Sequence, residues 1–155
     1  MISRRTWLAR TGGAALLVLA GRRASAAALV TKPAITVWKD PGCGCCNAWV
    51  DHMRGAGFDV KTHDESGMDE VKAMMGVPVA LRSCHTAQAG AYVIEGHVPG
   101  SDVKRILAEK PKILGLAVPG MPMSAPGMAQ PGARKVPYEV VSFEKGGATR
   151  VFAKY

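Results

Sequence analysis

Ala34-Ile35-Thr36-Val37-Trp38-Lys39-Asp40-Pro41-Gly42-Cys43-Gly44-Cys45-Cys46-Asn47-Ala48-Trp49-Val50-Asp51-His52-Met53-Arg54 is the stretch on which the fold turns. Ala34 to Trp38 is short, apolar and β-branched, which predicts a strand. Asp40-Pro41-Gly42 predicts a turn. Past it, Cys46, Trp49, Val50 and Met53 stand at the i, i+3, i+4, i+7 spacing of an amphipathic helix over Cys46 to Arg54, stopped by Gly55 and Gly57. The cysteines therefore sit where a strand hands over to a helix. Free amides and the positive dipole end of a helix stabilise a thiolate there, lowering the thiol pKa from its usual value of about 8.5. The thiolate is both the nucleophile and the metal ligand.

Working outward, Phe58 to Thr62 alternates apolar and polar residues and predicts a second strand. Met68 to Met75 predicts a second helix with Val71, Met74 and Met75 on one face and Gly76 as its stop, so Met68, Met74 and Met75 are expected in the core. Val77 to Leu81 is expected as a third strand, followed by a Cys84-His85-Thr86 loop, and Ala91 to Ile94 as a fourth. Ser101-Asp102 is expected to cap a third helix that runs through Ala108, with Val103, Ile106 and Leu107 inward. The order β-α-β-α-β-β-α predicts an α/β domain of the thioredoxin/glutaredoxin type, a four-stranded sheet flanked by helices. Pro78 is expected as a cis-proline facing the cysteines, since a cis bond costs little at X-Pro. Residues 111 to 137 form a Met/Pro/Gly-rich loop, long enough to suggest a functional role. Tyr138 to Phe143 and Ala148 to Phe152 predict a C-terminal β-hairpin.

The chain divides into a leader at 1–26, a short linker at 27–33 and one domain at 34–155; a length of 155 residues suits one core and hardly two. In the leader, Ser3-Arg4-Arg5-Thr6-Trp7-Leu8 precedes an apolar run from Gly12 to Ala20 and a small-x-small site at Ala24-Ser25-Ala26. This predicts export with cleavage near Ala26 and a periplasmic destination. The paired arginines suit the twin-arginine route, with an ordinary secretory signal as the alternative. The run is about half of the ~20 residues that a membrane span needs, so no stable membrane anchor is expected. Of the net charge of +8, five positives are the leader arginines, leaving +3 on the rest. A weakly basic domain with scattered lysines does not suit nucleic acid as a partner.

All four cysteines lie beyond the leader. In an oxidising compartment an even count can mean two structural disulfides, for instance Cys84 to one of the cluster and a second bridge among the others. Against that, Cys43 and Cys46 have the Cys-x-x-Cys spacing of redox and metal sites, and Cys45 stands between them as a third thiol. Zinc prefers four well-spread ligands, whereas side chains of neighbouring helix residues splay apart by roughly 100°. Copper(I) accepts two or three thiolates and bridging sulfur, so three crowded thiols suit it, as a single ion or a multinuclear cluster. A thiol-disulfide oxidoreductase using Cys43 and Cys46 is the competing reading, and a zinc or iron-sulfur site a third.

The blocks Asp40-Pro41-x-Cys43-Gly44-Cys45-Cys46, Gly76-Val77-Pro78, Ser83-Cys84-His85-Thr86, Tyr92 to Pro99, and Pro119-Gly120-Met121-Pro122 with Pro126-Gly127-Met128 give the chain a family resemblance. It resembles the CopG-like copper-resistance family, whose domain is uncharacterised, over roughly residues 34 to 152. The resemblance implies a thioredoxin-like fold, periplasmic copper handling with other copper-handling proteins as partners, and a cysteine-bridged copper cluster held by Cys43, Cys45, Cys46 and Cys84. His85 and His97 can add imidazoles. Met121, Met123 and Met128 offer soft thioethers in a setting of Pro and Gly that excludes a helical core stripe, although methionine also fills gaps against aromatic rings. His52 and His63 are expected at the surface, and Trp38 and Trp49, which flank the cluster in sequence, are expected to pack, with shielding of the site from water as the alternative.

Overall fold

The protein is described here by a computed structural model covering residues 31–130 and 132–155. The expected leader at 1–26 and residues 27–30 of the linker lie outside the described residues. Residues 31–155 form one compact unit. Its elements are β1 (Ala34–Lys39), α1 (Gly44–Gly55), β2 (Asp59–Asp64), α2 (Met68–Met74), a short 3-10 turn (Val79–Leu81), β3 (His85–Ala89), β4 (Tyr92–Gly96), α3 (Gly100–Glu109), β5 (Gly115–Val118), β6 (Glu139–Phe143) and β7 (Thr149–Lys154).

The α/β class is as expected, but the sheet is larger. Seven strands run in the order β2-β1-β3-β4-β5-β6-β7. β1 pairs parallel with β2 and antiparallel with β3, β3 pairs antiparallel with β4, and β4 pairs parallel with β5. The C-terminal hairpin of β6 and β7 is not a separate appendage. β5, four residues inside the expected loop, pairs with β6 and welds the hairpin to the sheet. Gly115 to Val118 is buried at every position, so it shows none of the alternation that marks a half-exposed strand.

Period-2 geometry decides what each face holds. Ile35, Val37, Ala87, Ala89, Ile94, Leu116 and Val118 meet Trp49, Val50 and Met53 of α1 and Val103 and Ile106 of α3 in the main core. Val93, Ala117 and Phe143 pack with Val77, Leu81, Met75 and Leu114 in a second cluster. Helix α1 buries Cys46, Trp49, Val50 and Met53, the four residues that its sequence spacing singles out.

Three local expectations are corrected. Val77 to Leu81 is not a strand: Pro78 precedes a 3-10 turn, and the third strand is His85–Ala89, which carries one β-branched residue and no large apolar side chain to mark it. Among the described residues all peptide bonds are trans, including the one at Pro78. On α2 the buried residues are Val71 and Lys72; Met74 is 81% exposed, and Met68 and Met75 are half-buried. The helix turns its apolar stripe only partly to the sheet because Lys72 occupies the inward position. Among the described residues no helix is long and apolar enough to cross a membrane.

Candidate metal centre

The topology collects the site at one end of the sheet. β1, β4 and β5 run in the same direction and β3 opposes them, so the ends of β1, β4 and β5 and the start of β3 share one edge. Register makes this concrete: Lys39 lies opposite His85, and Gly96 opposite Val118. The cysteine cluster follows β1, Cys84 precedes β3, His97 follows β4, and the Met/Pro/Gly-rich loop follows β5. Ligands in open α/β sheets bind at this kind of strand end.

Asp40 shapes the turn. Its side-chain Oδ1 accepts the Gly42 N–H at 2.8 Å and its carbonyl accepts the Cys43 N–H at 3.1 Å. The chain then enters α1 with Cys43 as N-cap, which makes no side-chain cap hydrogen bond, and with no acid in the first turn. The helix dipole is therefore left to the sulfurs. Cys43 and Cys46 form a disulfide with their Cα atoms 5.3 Å apart, while Cys45 and Cys84 are free thiols. Cys45 Sγ lies 3.6 Å from Cys43 Sγ. The two-disulfide alternative is thus not what the fold holds: one bridge closes within the cluster and Cys84 stays out of it.

All four sulfurs lie within 4.8 Å of one another, with Cys46 buried and the other three half-buried. Two sulfurs on one metal ion at about 2.3 Å each lie at most about 4.6 Å apart, so sulfurs gathered within 4.8 Å stand a few tenths of an ångström or less from the spacing that a shared metal needs. A second group is built around Cys84. Its Sγ is 3.2 Å from His85 Nδ1 and 3.0 Å from His97 Nε2. His97 Nδ1 donates to the Pro126 carbonyl at 2.7 Å, which fixes the tautomer and leaves the Nε2 lone pair aimed at the sulfur.

Burial governs the ionisation here. It pushes the Cys84 thiol up to about 12, with Cys45 adding to the effect, so the free sulfur keeps its proton. His97 is held below 6.5, also by burial. His85 is fully buried and held well below 6.5 by desolvation first, then by His97 and Lys72. Its Nε2 has no hydrogen-bond partner among the described residues, and its ring lies 4.3 Å from Trp49 and 5.1 Å, edge on, from His97. Trp49 is itself anchored by Nε1 donating to the Val98 carbonyl at 2.9 Å. It is fully buried, as the sequence suggests, and lies against His85 of the site.

The methionines divide. Met121 and Met123 are exposed at 44% and 43%, whereas Met128 is half-buried and packs on the main core. Gly127 brings their loop against α1: a Cβ there would lie 2.6 Å from the Trp49 nitrogen and 3.0 Å from the Cys45 carbonyl oxygen. His63 is exposed and stacks on Trp38 at 5.7 Å. His52, expected at the surface, is half-buried and its Nε2 accepts the Gly100 N–H at 3.0 Å. Sequence reasoning passed over Lys72, Thr86 and Glu95, which form a buried polar network behind Cys84. The available signal was Glu95 itself, an acid closing the apolar run Tyr92-Val93-Ile94, which demands a partner once buried.

Residues 81–128 match the family model described as a protein of unknown function, DUF411. Among curated proteins none matches. Two solved structures of a copper resistance protein CopG, its form 2 and form 1, are 42% identical to the chain, cover 80% of it and 98% of their own length, and superpose with TM-scores of 0.75 and 0.74. With that identity over that length, and with four cysteines gathered where a soft metal fits, the chain belongs to the CopG family of copper resistance proteins.

Proposed function

We propose that the protein binds copper(I) outside the cytoplasm, in a multinuclear centre held by Cys43, Cys45, Cys46 and Cys84 with His97 and His85 beside it. The observation that carries this reading is the gathering of four sulfurs within 4.8 Å at the start of a helix. Thiolates are soft donors that favour copper(I) and can bridge two ions. Reduction of the Cys43–Cys46 disulfide, by two electrons and two protons from a thiol reductant, makes all four sulfurs available. Met121 and Met123, exposed and soft, suit capture of the ion at the surface, and Met128 supports the loop that carries them. A thioredoxin-like ancestry is supported by the β2-β1-β3-β4 portion of the sheet and by the placing of Cys-x-x-Cys between β1 and α1. Export rests on the sequence of residues 1–26, and other copper-handling proteins of the periplasm are the partners this role implies.

Anaerobic titration of the reduced protein with copper(I) tests the centre. The expected result is more than one copper per chain, with the excess lost in Cys45→Ala; a single ion per chain, indifferent to Cys45, overturns the cluster. A second reading is favoured by the Cys43–Cys46 bridge, closed at the helix start with Cys46 buried and Cys43 half-buried. It is a thiol-disulfide oxidoreductase in which Cys43 attacks. Reduction of insulin disulfides by a protein that ignores copper would establish it in place of the first.

A further inference from the structure

Glu95 is fully buried and Lys72 is 4% exposed, an ion pair at 2.7 Å on the α2 face of the sheet. Neither residue belongs to the sulfur site, and a buried pair of this kind is weak support for stability, since apolar replacements are often neutral or better. Its hydrogen bonds show what else it does. Glu95 Oε1 accepts the backbone N–H of Ser83 at 2.5 Å, and Oε2 accepts the Thr86 hydroxyl at 2.7 Å. Lys72 Nζ donates to Thr86 Oγ1 at 3.0 Å, closing the network. One carboxylate thus grips the residue before Cys84 and the residue after His85. Alternation along β3 turns Thr86 to this network and His85 to Trp49 on the opposite face.

We propose that Glu95, neutralised by Lys72, is a positioning residue that brackets the Cys84-His85 dipeptide and presents both side chains to the metal site. This rests on the copper reading for its purpose but not for its geometry. Glu95 is also two residues before His97 on the same chain, so one strand orders all three members of the Cys84, His85, His97 group. Outer groups that orient metal ligands typically matter by a factor of about 10 to 100 in affinity.

The test uses the full-length mature protein as a Lys72→Met, Glu95→Leu double variant, which removes the bracket without stranding a charge. Two quantities are read: peptide-resolved iodoacetamide alkylation of Cys84 against Cys45 in copper-free protein, and copper(I) affinity of reduced protein. The expected result is Cys84 alkylation faster by about tenfold with Cys45 unchanged, since the loop opens locally, and an affinity loss of about 10-fold or more. A Lys72→Gln, Glu95→Gln variant keeps uncharged partners for Ser83 and Thr86 and is expected to restore slow alkylation. Unchanged alkylation in Lys72→Met, Glu95→Leu overturns the bracket, and so does a Gln pair that behaves like the apolar pair. Faster alkylation with wild-type copper affinity overturns its role in metal binding. If the parent protein binds no copper while the alkylation result holds, the bracket stands and the copper reading falls. Should the apolar pair fail to fold, Glu95→Asp, one methylene too short to reach both Ser83 and Thr86, carries the same expectations.

Discussion

At the scale of single residues, the site is held by close approaches as much as by ligands. Gly127 has φ +81°, and any Cβ there would press on the Trp49 nitrogen and the Cys45 carbonyl. Gly120 has a similar φ of +76°, and among the described residues nothing beyond its chain neighbours lies within 4 Å of its Cβ position. The pair separates strain from contact. Gly120→Ala is expected to cost about 1–2 kcal/mol from the left-handed backbone alone, and Gly127→Ala about 1–3 kcal/mol more from overpacking. In Gly127→Ala the loop lifts from α1 and the Pro126 carbonyl leaves His97 Nδ1. Thermal midpoints of both variants and the imidazole 15N shifts of His97 check this; equal midpoints would mean that the loop does not bear on α1. The cysteines were legible in the sequence because their spacing is a local pattern. Glu95 showed only as an acid closing an apolar run, and its partners, like those of Lys72 and the Pro126 carbonyl, were not legible, because each acts across 9 to 29 residues.

At the scale of elements, α1 and α3 are joined by a contact that titrates. Helix α3 follows Pro99 with no side-chain cap of its own, and its first N–H, that of Gly100, is taken by His52 Nε2 from α1. Only a neutral imidazole accepts this bond, and burial holds the His52 pKa below 6.5. A lowered folded pKa means that the unfolded chain binds the proton first, so stability is complete above about pH 6.5 and is lost as pH falls toward the folded value. His85 and His97 act with the same sign. Denaturant unfolding of copper-free protein from pH 7.5 down to 5 is expected to show declining stability, with a shallower decline in His52→Gln, whose amide oxygen accepts without titrating. An identical slope would remove His52 from the account. Amphipathic spacing made α1 and α3 readable, and the Trp49, Val50, Met53 stripe buries as it predicts. β3 and β5 were hidden for a physical reason: in His85-Thr86-Ala87-Gln88-Ala89 only Thr86 is β-branched and no large apolar side chain marks the inward face, and Gly115-Leu116-Ala117-Val118 is buried on both faces.

At the scale of the whole molecule, the question is whether the last three strands stand or fall with the first four. The seam is Gly115, where a Cβ would collide with the Val93 carbonyl and come within 2.8 Å of Phe143 Cζ, so the β4–β5 pairing depends on the absence of a side chain. Across that seam the core is shared: Leu116, Val118 and Val140 pack in the same cluster as Ile35, Trp49 and Ile106, and Tyr138 and Phe152 lean on it. A hairpin that contributes core cannot leave without uncovering apolar surface on both sides, which makes local detachment nearly as costly as global unfolding. The expected behaviour is a single cooperative transition. Trp38 and Trp49 report on the first half by fluorescence, and the stacked Tyr138 and Tyr155 rings, 5.1 Å apart, report on the hairpin by near-ultraviolet circular dichroism. The two curves should coincide in wild type and still coincide in Gly115→Ala, displaced together by about 3 kcal/mol or more, the size expected where a backbone clash adds to overpacking. A tyrosine transition that precedes the tryptophan one would show the C-terminal strands to be an independent annex, and the loop over Cys45 and His97 would then have to be held in place by the first four strands alone.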